Sequence, residues 1–271
     1  MTKDKITFSF GKNWEEFVQK HLSEERIHVT KTHILEFLEM PSLEGKYFLD
    51  IGCGSGLSSL AALEAGAAKV VSFDVDPSSV SAAQRIREIK ENPANWTVLH
   101  GSILDETFVS SLEQADIVHA WGVLHHTGDM WKAIEQTAKL MKEDGLMYIA
   151  LYTTTPKSDY WHQVKIRYNQ MSPTGKKVME YWYVFRHTLI PHFIRLKNPF
   201  RHIRQYRQSR GMAYFTDVKD WLGGYPYEHA KVEEVLRFCR TQFNLELVNI
   251  RTGEANTEYL FAKRHGSASG I

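Results

Sequence analysis

The segment that begins at Phe48 contains the residues best suited to holding a ligand. It reads Phe-Leu-Asp-Ile-Gly-Cys-Gly-Ser-Gly and joins an apolar strand to a helical pattern. Its glycines allow a sharp turn and let the backbone approach a ligand without Cβ clashes. Leu57 stands where a dinucleotide fingerprint ends in Gly or Ala, and the Gly-Lys-Ser/Thr of a P-loop does not follow. The turn therefore indicates a ligand that places no pyrophosphate here.

A carboxylate, Asp74, ends the next apolar stretch of the chain. A doubly wound fold places an acid about 20 residues beyond its glycine turn, where it accepts hydrogen bonds from ribose hydroxyls. Asp76 is a weaker candidate, because an Asp followed by a Pro is also typical of a helix N-cap. We therefore predict that Asp74 binds the sugar of a nucleoside ligand.

Two adjacent histidines, His125 and His126, follow a later apolar stretch at 117–120. Ligands of an open α/β sheet lie at the carboxyl ends of its strands, so both histidines are expected near the ligand. Histidine titrates near neutrality and is suited to removing a proton from a hydroxyl. Two interpretations stay open: one histidine is a general base, or both hold the loop and the edge of the ligand.

The middle of the chain alternates apolar strands with amphipathic helices. Strands are predicted at 46–51, 69–74, 96–100, 117–120 and 146–152, and again at 245–251 and 257–263 after a helix at 231–241. Such repeated units predict a parallel sheet covered by helices on both faces. The predicted organisation is an N-terminal helical lid (1–43), a core (44–152), a helical insert (153–230), the end of the core sheet (231–264) and a disordered tail (265–271).

The predicted insert is strongly basic, although the whole chain, with 33 Lys/Arg and 32 Asp/Glu, is almost neutral. Between 157 and 210 there are twelve Lys/Arg and only two acids, Asp159 and Glu180. Unpaired buried cations are costly, so most of these side chains are expected to face solvent or an anionic partner. Such a partner would be an anionic membrane surface bound peripherally, a phosphorylated substrate or RNA. The alternative interpretation is a helical face that is only solvated.

Aromatic residues near the predicted carboxyl edge are candidates for an acceptor pocket. The stretch Gly-Gly-Tyr-Pro-Tyr-Glu, which ends at Glu228, is too aromatic for an ordinary linker, although it also suits a buried turn. Trp14 belongs to an aromatic N-terminal segment that is expected to fold over the ligand as a lid. The predicted substrate contacts are Trp14, Tyr152, Tyr225, Tyr227 and Glu228, with Arg201 and Arg204 on one helical face of the insert.

Composition restricts the class of protein. The chain has 271 residues and only two cysteines, Cys53 and Cys239, which excludes a disulfide framework and a Cys-x-x-Cys zinc site. No spacing of acidic residues indicates a metal ligand set. No apolar run approaches the roughly 18 residues of a membrane span, and the N-terminus lacks the apolar core of a secretory signal. We therefore expect a cytoplasmic protein without a transmembrane segment.

Five motifs resemble those of class I S-adenosylmethionine (SAM)-dependent methyltransferases. Asp-Ile-Gly-Cys-Gly-Ser-Gly from Asp50 is similar to motif I, and Phe-Asp-Val-Asp-Pro from Phe73 is similar to the acidic second-strand motif. Gly-Ser-Ile from Gly101 lies where that family contacts adenine, with Ser in place of the usual Asp. Ala-Trp-Gly-Val-Leu-His-His-Thr from Ala120 is similar to the fourth motif of the small-molecule branch, and Lys-Glu-Asp-Gly-Leu-Met from Lys142 to the turn into strand five.

The resemblance implies a fold, a cofactor and a reaction. The fold is α/β, a doubly wound seven-stranded mixed sheet of order 3-2-1-4-5-7-6, capped by the N-terminal helices and the insert. The cofactor is SAM, and its implied contacts are Asp50, Gly52, Cys53, Gly54, Gly56, Asp74, Val75, Ser102, Ile103 and Trp121. The reaction is methylation, at a hydroxyl, of a small-molecule, lipid-linked or nucleotide-linked acceptor, as in glycan and secondary-metabolite pathways. An RNA or tRNA methyltransferase and a SAM-binding regulatory subunit are the alternatives.

Overall fold

The computed structural model describes residues 11, 14, 18, 22–195, 197–199, 201, 203, 214–253 and 256–264. These residues contain a seven-stranded sheet of order β3-β2-β1-β4-β5-β7-β6. Its strands are β1 (Tyr47–Ile51), β2 (Lys69–Asp74), β3 (Trp96–His100), β4 (Ala115–Trp121), β5 (Met141–Tyr152), β6 (Leu245–Thr252) and β7 (Asn256–Lys263). β7 runs antiparallel to β5 and β6, and the other neighbouring strands are parallel. The predicted fold and strand order are confirmed.

Helices cover both faces of the sheet, because its central strands are apolar on both sides: all five residues of β1 are buried. Phe48 and Trp96 mark one face, which is covered by α1 (Glu24–Leu38), α2 (Leu57–Glu64) and α3 (Pro77–Ile89). Leu49 and Ile149 mark the other, which is covered by α4 (Glu106–Ser110), α5 (Met130–Lys139) and α10 (Val232–Phe243). The carboxyl ends of β1, β2, β4 and β5 therefore meet at one edge, where loops can build a site.

Helix α1 lies within the predicted N-terminal lid and begins after Ser23, its N-cap. The hydroxyl of Ser23 accepts a hydrogen bond from the amide of Arg26 at 3.4 Å. The helix ends at Glu39, which adopts a left-handed conformation with a φ of 56°. Residues 11, 14 and 18 are helical, and the rest of the lid before residue 22 lies outside the described residues, as does the predicted tail.

The chain between β5 and α10 forms a helical insert with a small core of its own. Tyr168, Val184 and Leu222 are buried together in that core. A short bridge between Thr153 and Ala230 closes the base of the insert at the end of β5. Its helices are α6 (Ser158–Gln170), α7 (Pro173–Val184), α8 (Ile190–Ile194) and α9 (Tyr214–Gly223), with a π-helical turn (Phe185–Leu189) between α7 and α8. Within the described part of the chain, no helix combines the length and the apolar character needed to cross a bilayer.

Candidate active site

The glycine-rich turn joins β1 to α2 at the carboxyl edge of the sheet. Gly52, Gly54 and Gly56 have positive φ angles of 64°, 53° and 83°, a region that other residues rarely adopt. The amides at 52 and 53 donate to the carbonyl oxygen of Phe73 at 2.8 and 3.0 Å, which ties the turn to β2. A Cβ on Gly52 would lie 2.2 Å from a methyl group of Val123. The turn is therefore held closely between β2 and the loop after β4.

Asp74 lies beside this turn, at the last position of β2. Its carboxylate accepts hydrogen bonds from the amides of Gly54 at 3.0 Å and Asp76 at 2.9 Å. Burial raises the pKa of Asp74, and these two hydrogen bonds act against that rise. A carboxylate has about four acceptor positions, so Asp74 keeps capacity for the hydroxyls of a ribose. The residues present here fit the nucleoside part of SAM.

Asp50, a predicted cofactor contact, forms hydrogen bonds inside the protein. Its side chain is buried, and its two oxygens bind the Ser59 hydroxyl at 2.5 Å and the His119 imidazole at 2.8 Å. Ser59 continues through Ser72 to the indole N–H of Trp96, so a buried polar chain runs behind the turn. The geometry shows Asp50 bonded to groups of the protein interior, and its contact with the cofactor stays a prediction.

The remaining predicted cofactor contacts differ in exposure. Val75 and Trp121, at the ends of β2 and β4, are 66% and 45% exposed although both are apolar. Ile103 is only 5% exposed and belongs to the core, and Cys53 is buried, which raises the pKa of its thiol. The Ser102 hydroxyl accepts a hydrogen bond at 3.2 Å from a backbone amide of its own loop. Val75 and Trp121 are therefore the side chains open to an aromatic base at this edge.

The described residues of the N-terminal segment lie against the same turn. The amide of Gly11 donates to the Asp76 carboxylate at 3.0 Å. A Cβ added to Gly54 would lie 2.9 Å from the indole nitrogen of Trp14, and Val18 is buried with α1 and α2. Trp14, predicted to contact the substrate, is thus placed over the cofactor turn.

The loop after β4 carries both predicted histidines into the protein. His125 is 1% exposed, and its Nδ1 accepts a hydrogen bond from the amide of Tyr152 at 3.3 Å. Nδ1 of His126 donates to the carbonyl oxygen of Pro226 at 2.6 Å, which makes Nε2 the basic nitrogen. Burial, and then the charge of Lys165, lowers the pKa of His126 to about 3, and burial takes the pKa of His125 well below its usual value. Burial thus favours the neutral imidazole at both positions, and the general-base role expected for one of them stays a prediction.

Lys165, from α6, is the group that titrates near neutrality in this site. Its side chain is fully buried, and Nζ donates to the carbonyl oxygen of Trp221. Nζ lies 4.5 Å from the ring centroid of Trp221, 5.0 Å from that of Tyr227 and 5.8 Å from that of Tyr152. Burial lowers the pKa of Lys165 to about 7, and the charge of Asp220 acts against that change. Lys165 with these three rings is called the lysine–aromatic pocket below.

Trp221 adds a hydrogen-bond donor to this pocket. Among the described residues, its buried indole nitrogen has no hydrogen-bond partner. A buried donor without a partner costs about 1–3 kcal/mol, so native proteins rarely keep one without a reason. The ring that carries this N–H lies 4.5 Å from Lys165 Nζ, and its donor lacks an acceptor among the described residues.

Sequence reasoning missed Lys165 and Trp221, although a signal for the lysine was present. Trp161, Val164, Lys165 and Tyr168 follow the i, i+3, i+4, i+7 spacing of the inner face of a helix. Lysine is almost never fully buried without a partner, so a lysine on such a face is a candidate functional residue. The basic character of the whole insert concealed this one cation.

The predicted acceptor contacts after α9 divide into two groups. Tyr227 belongs to the lysine–aromatic pocket, and Tyr225 stacks on His162 with ring centroids 5.8 Å apart. The two carboxylate oxygens of Glu228 accept hydrogen bonds from the amides of Gly128 at 3.0 Å and Met130 at 3.2 Å, and its contact with the acceptor stays a prediction. Its carboxylate therefore clamps the start of α5.

The arginines of the insert are placed only in part. Arg201 is exposed, and its amide donates to the side chain of Asn198 at 3.1 Å. Arg204 and Arg207 lie outside the described residues. Over the part of the chain that is described, no three His, Cys, Asp or Glu side chains come together to hold a metal ion.

One loop, 122–127, connects the glycine turn with the lysine–aromatic pocket. Val123 packs against Gly52, as the close approach to its Cα shows. Two residues later, the ring of His125 packs on Tyr152, with centroids 3.9 Å apart. The two halves therefore lie side by side at the carboxyl edge of β1, β4 and β5. This arrangement can bring a nucleoside-linked group and a small acceptor together.

Comparison with known proteins gives a family match for part of the chain. Residues 49–147 match the family model described as a methyltransferase domain. Ribosomal protein L11 methyltransferase from Aliivibrio salmonicida is 47% identical over 57 residues, which are 21% of this chain and 19% of that protein. The chain thus spans about a fifth of the length of the curated relatives that it matches.

Solved structures share the fold. Magnesium protoporphyrin IX methyltransferase from Synechocystis, with bound S-adenosylhomocysteine (SAH), aligns with a TM-score of 0.53 at 14% identity, over 92% of this chain and 88% of that one. An O-methyltransferase family protein from Burkholderia thailandensis aligns with a TM-score of 0.54 at 13% identity, over 89% of this chain and 57% of that one. Similarity at this level concerns the fold.

Proposed function

We propose that the whole protein methylates a hydroxyl of a small, anionic or lipid-linked acceptor with SAM as the methyl donor, because residues 49–147 match a methyltransferase domain and the fold is shared with a methyltransferase solved with SAH bound. When bound, SAM supplies an electrophilic methyl group on a sulfonium. The proposal depends above all on one observation: the buried Trp221 N–H, which has no partner among the described residues, lies in the same pocket as Lys165. A donor and a cation together favour an acceptor whose reacting atom is an oxygen.

The two halves of the site divide the work. Asp74 and the glycine turn hold and orient the cofactor. Correct alignment of donor and acceptor is the main requirement of an in-line transfer. In the pocket, Trp221 donates a hydrogen bond to an oxygen of the acceptor, and Tyr152 and Tyr227 exclude water from it. The Nε2 of His126 accepts a hydrogen bond that orients the acceptor.

Lys165 is the proposed base. With a pKa of about 7, a large fraction of its side chains carries an uncharged amine at neutral pH. That amine would take the hydroxyl proton while the acceptor oxygen gains the methyl group that bound SAM would supply, with the sulfonium C–S bond breaking and SAH leaving. The resulting ammonium would offset the partial negative charge on the oxygen as its proton leaves. His125 and His126 are too weakly basic for this step, because their burial lowers both pKa values.

A SAM-binding regulatory subunit is the second candidate, and one observation favours it. The Lys165 side chain itself occupies the space between the three rings, as a bound cation would. In that case the protein would bind SAM without turning it over on any acceptor.

Incubation with methyl-labelled SAM and fractionated extract of the native host separates the two candidates. We expect one fraction to yield a small product that carries the label on an oxygen, located by mass fragmentation. Lys165→Ala should lose this product while binding SAH as wild type does, and Lys157→Ala, at an exposed lysine of the same insert, should keep both properties. The proposal would be refuted if the labelled product were tRNA. It would also be refuted if the protein bound SAH but gave no labelled product with any fraction.

A further inference from the structure

Helix α7 is apolar on two opposite sides. Met179 and Tyr183 face inward and pack in the core of the insert. Val178, Tyr181 and Trp182 face outward and are 65%, 66% and 61% exposed. A helix that is apolar all round is normally buried all round, so the outer side of α7 is unusual for a surface helix.

The outward residues form one continuous stripe. Val178, Tyr181, Trp182 and Phe185 follow the i, i+3, i+4, i+7 spacing, which places them within one face of the helix. On α8, Phe193 is 60% exposed and Ile194 is 77% exposed, and they extend the apolar surface along the chain. Large apolar side chains exposed in such number on neighbouring helices are typical of an interaction surface. These six residues are called the aromatic stripe below.

Cations flank the aromatic stripe on both sides. Lys177 and Arg186 are exposed. Their positions along the helix place one beside each edge of the stripe. Beyond α8, Arg195, Lys197 and Arg201 are exposed as well. The one acid between 173 and 203, Glu180, accepts a hydrogen bond at 2.6 Å from Tyr168 on the inner side of α7. The outer surface is thus apolar in the middle and positive around it.

We propose that the aromatic stripe is a docking surface for a lipid bilayer with anionic headgroups. Tyr and Trp favour the interface between headgroups and acyl chains, and the flanking cations are attracted to anionic lipids. In a symmetric dimer through the stripe, the flanking cations of one copy would face those of the other. Their repulsion disfavours such a dimer. RNA would use the cations and stack on rings, but it leaves Val178 and Ile194 unexplained. The proposal is independent of the proposed methyl transfer.

Vesicle sedimentation of the full chain without SAM tests this surface. We expect binding to vesicles of equimolar phosphatidylcholine and phosphatidylglycerol, and much weaker binding to phosphatidylcholine alone. Trp182→Ser with Phe185→Ser should weaken the partition by at least about tenfold, because two aromatic side chains leave the bilayer interface. Ile89→Ser with Val248→Ser, which removes comparably exposed side chains from the body, is the matched control and should bind as wild type does.

The charge requirement is tested separately. Lys177→Gln with Arg186→Gln should reduce binding to the anionic vesicles and its dependence on salt, whereas Arg237→Gln with Arg240→Gln, exposed on α10, should leave both unchanged. Each variant should bind SAH as wild type does, which shows that it is folded. Three results would overturn the proposal: no preference for anionic vesicles, equal losses in stripe and body variants, or a dimer in sedimentation that Trp182→Ser dissociates.

Discussion

Replacing Lys165 by Met removes the charge from the lysine–aromatic pocket while keeping the length of the side chain. In the wild type, the ammonium is buried among three rings and has one hydrogen bond, to the carbonyl oxygen of Trp221. Folding must therefore desolvate a cation or neutralise it. A methionine has neither requirement, and its thioether packs well against aromatic rings.

The size of this effect follows from the pKa of Lys165. A shift from 10.5 to about 7, at about 1.4 kcal/mol per unit, corresponds to roughly 5 kcal/mol. Between these two pH values the unfolded chain binds more protons than the native protein, so the free energy of unfolding rises with pH. The penalty is fully present below about pH 7 and absent above 10.5. Losing the hydrogen bond to Trp221 costs the variant about 1–2 kcal/mol.

We therefore expect Lys165→Met to be more stable than wild type by about 2–4 kcal/mol below pH 7, and slightly less stable at alkaline pH. Urea unfolding of both proteins across this range measures the difference, and Lys177→Met, at an exposed site, is the control that should show none. If the difference between Lys165→Met and wild type did not change with pH, Lys165 would not titrate in the native protein near neutrality, and its role as a base would be lost.

Three further predictions concern the two halves of the site. Asp74→Ala should weaken SAM binding by about 2–3 kcal/mol in calorimetry, because the ribose hydroxyls lose a charged acceptor; unchanged affinity would remove Asp74 from the site. Gly54→Val should abolish SAH binding while largely preserving the fold by circular dichroism, because its φ of 53° and its contact with Trp14 leave no room for a side chain; a variant that still binds shows that the turn is not the cofactor loop. Trp221→Phe should raise the KM for the acceptor about tenfold with SAM affinity unchanged, because one hydrogen bond is lost; an unaltered KM would mean that the indole N–H does not meet the acceptor.

The sheet was predictable because its strands are short apolar segments between clear turns. β2 and β3 have the predicted bounds: β2 is an almost fully buried run that ends at Asp74, and β3, of which only Trp96 is buried, ends before Gly101. β5 is longer than predicted and starts at Met141 rather than near Leu146. The residues after Met141, Lys-Glu-Asp-Gly, have the composition of a turn, but they are part of the strand. The pairing of β5 with β4 shifts its register at this point. Composition alone does not distinguish such a register shift from a loop.

The site was predictable where its chemistry is local in sequence. The glycine turn and Asp74 meet as expected, because parallel strands end at the same edge. Asp50 and Glu228 look like site carboxylates in the sequence, but each is engaged by partners distant in sequence, such as His119 and the amide of Gly128. The burial of Lys165 likewise depends on how α6 packs against α9, which no local pattern specifies.

A crystal structure of the protein with SAH bound tests the central claim most directly, because that claim joins two half-sites into one. We predict the ribose hydroxyls on Asp74, the amino-acid part along the turn from Gly52 to Gly56, and the sulfur directed across loop 122–127 toward the lysine–aromatic pocket. A sulfur that faces away from Tyr152 and Lys165, or SAH bound elsewhere on the sheet, would contradict the account.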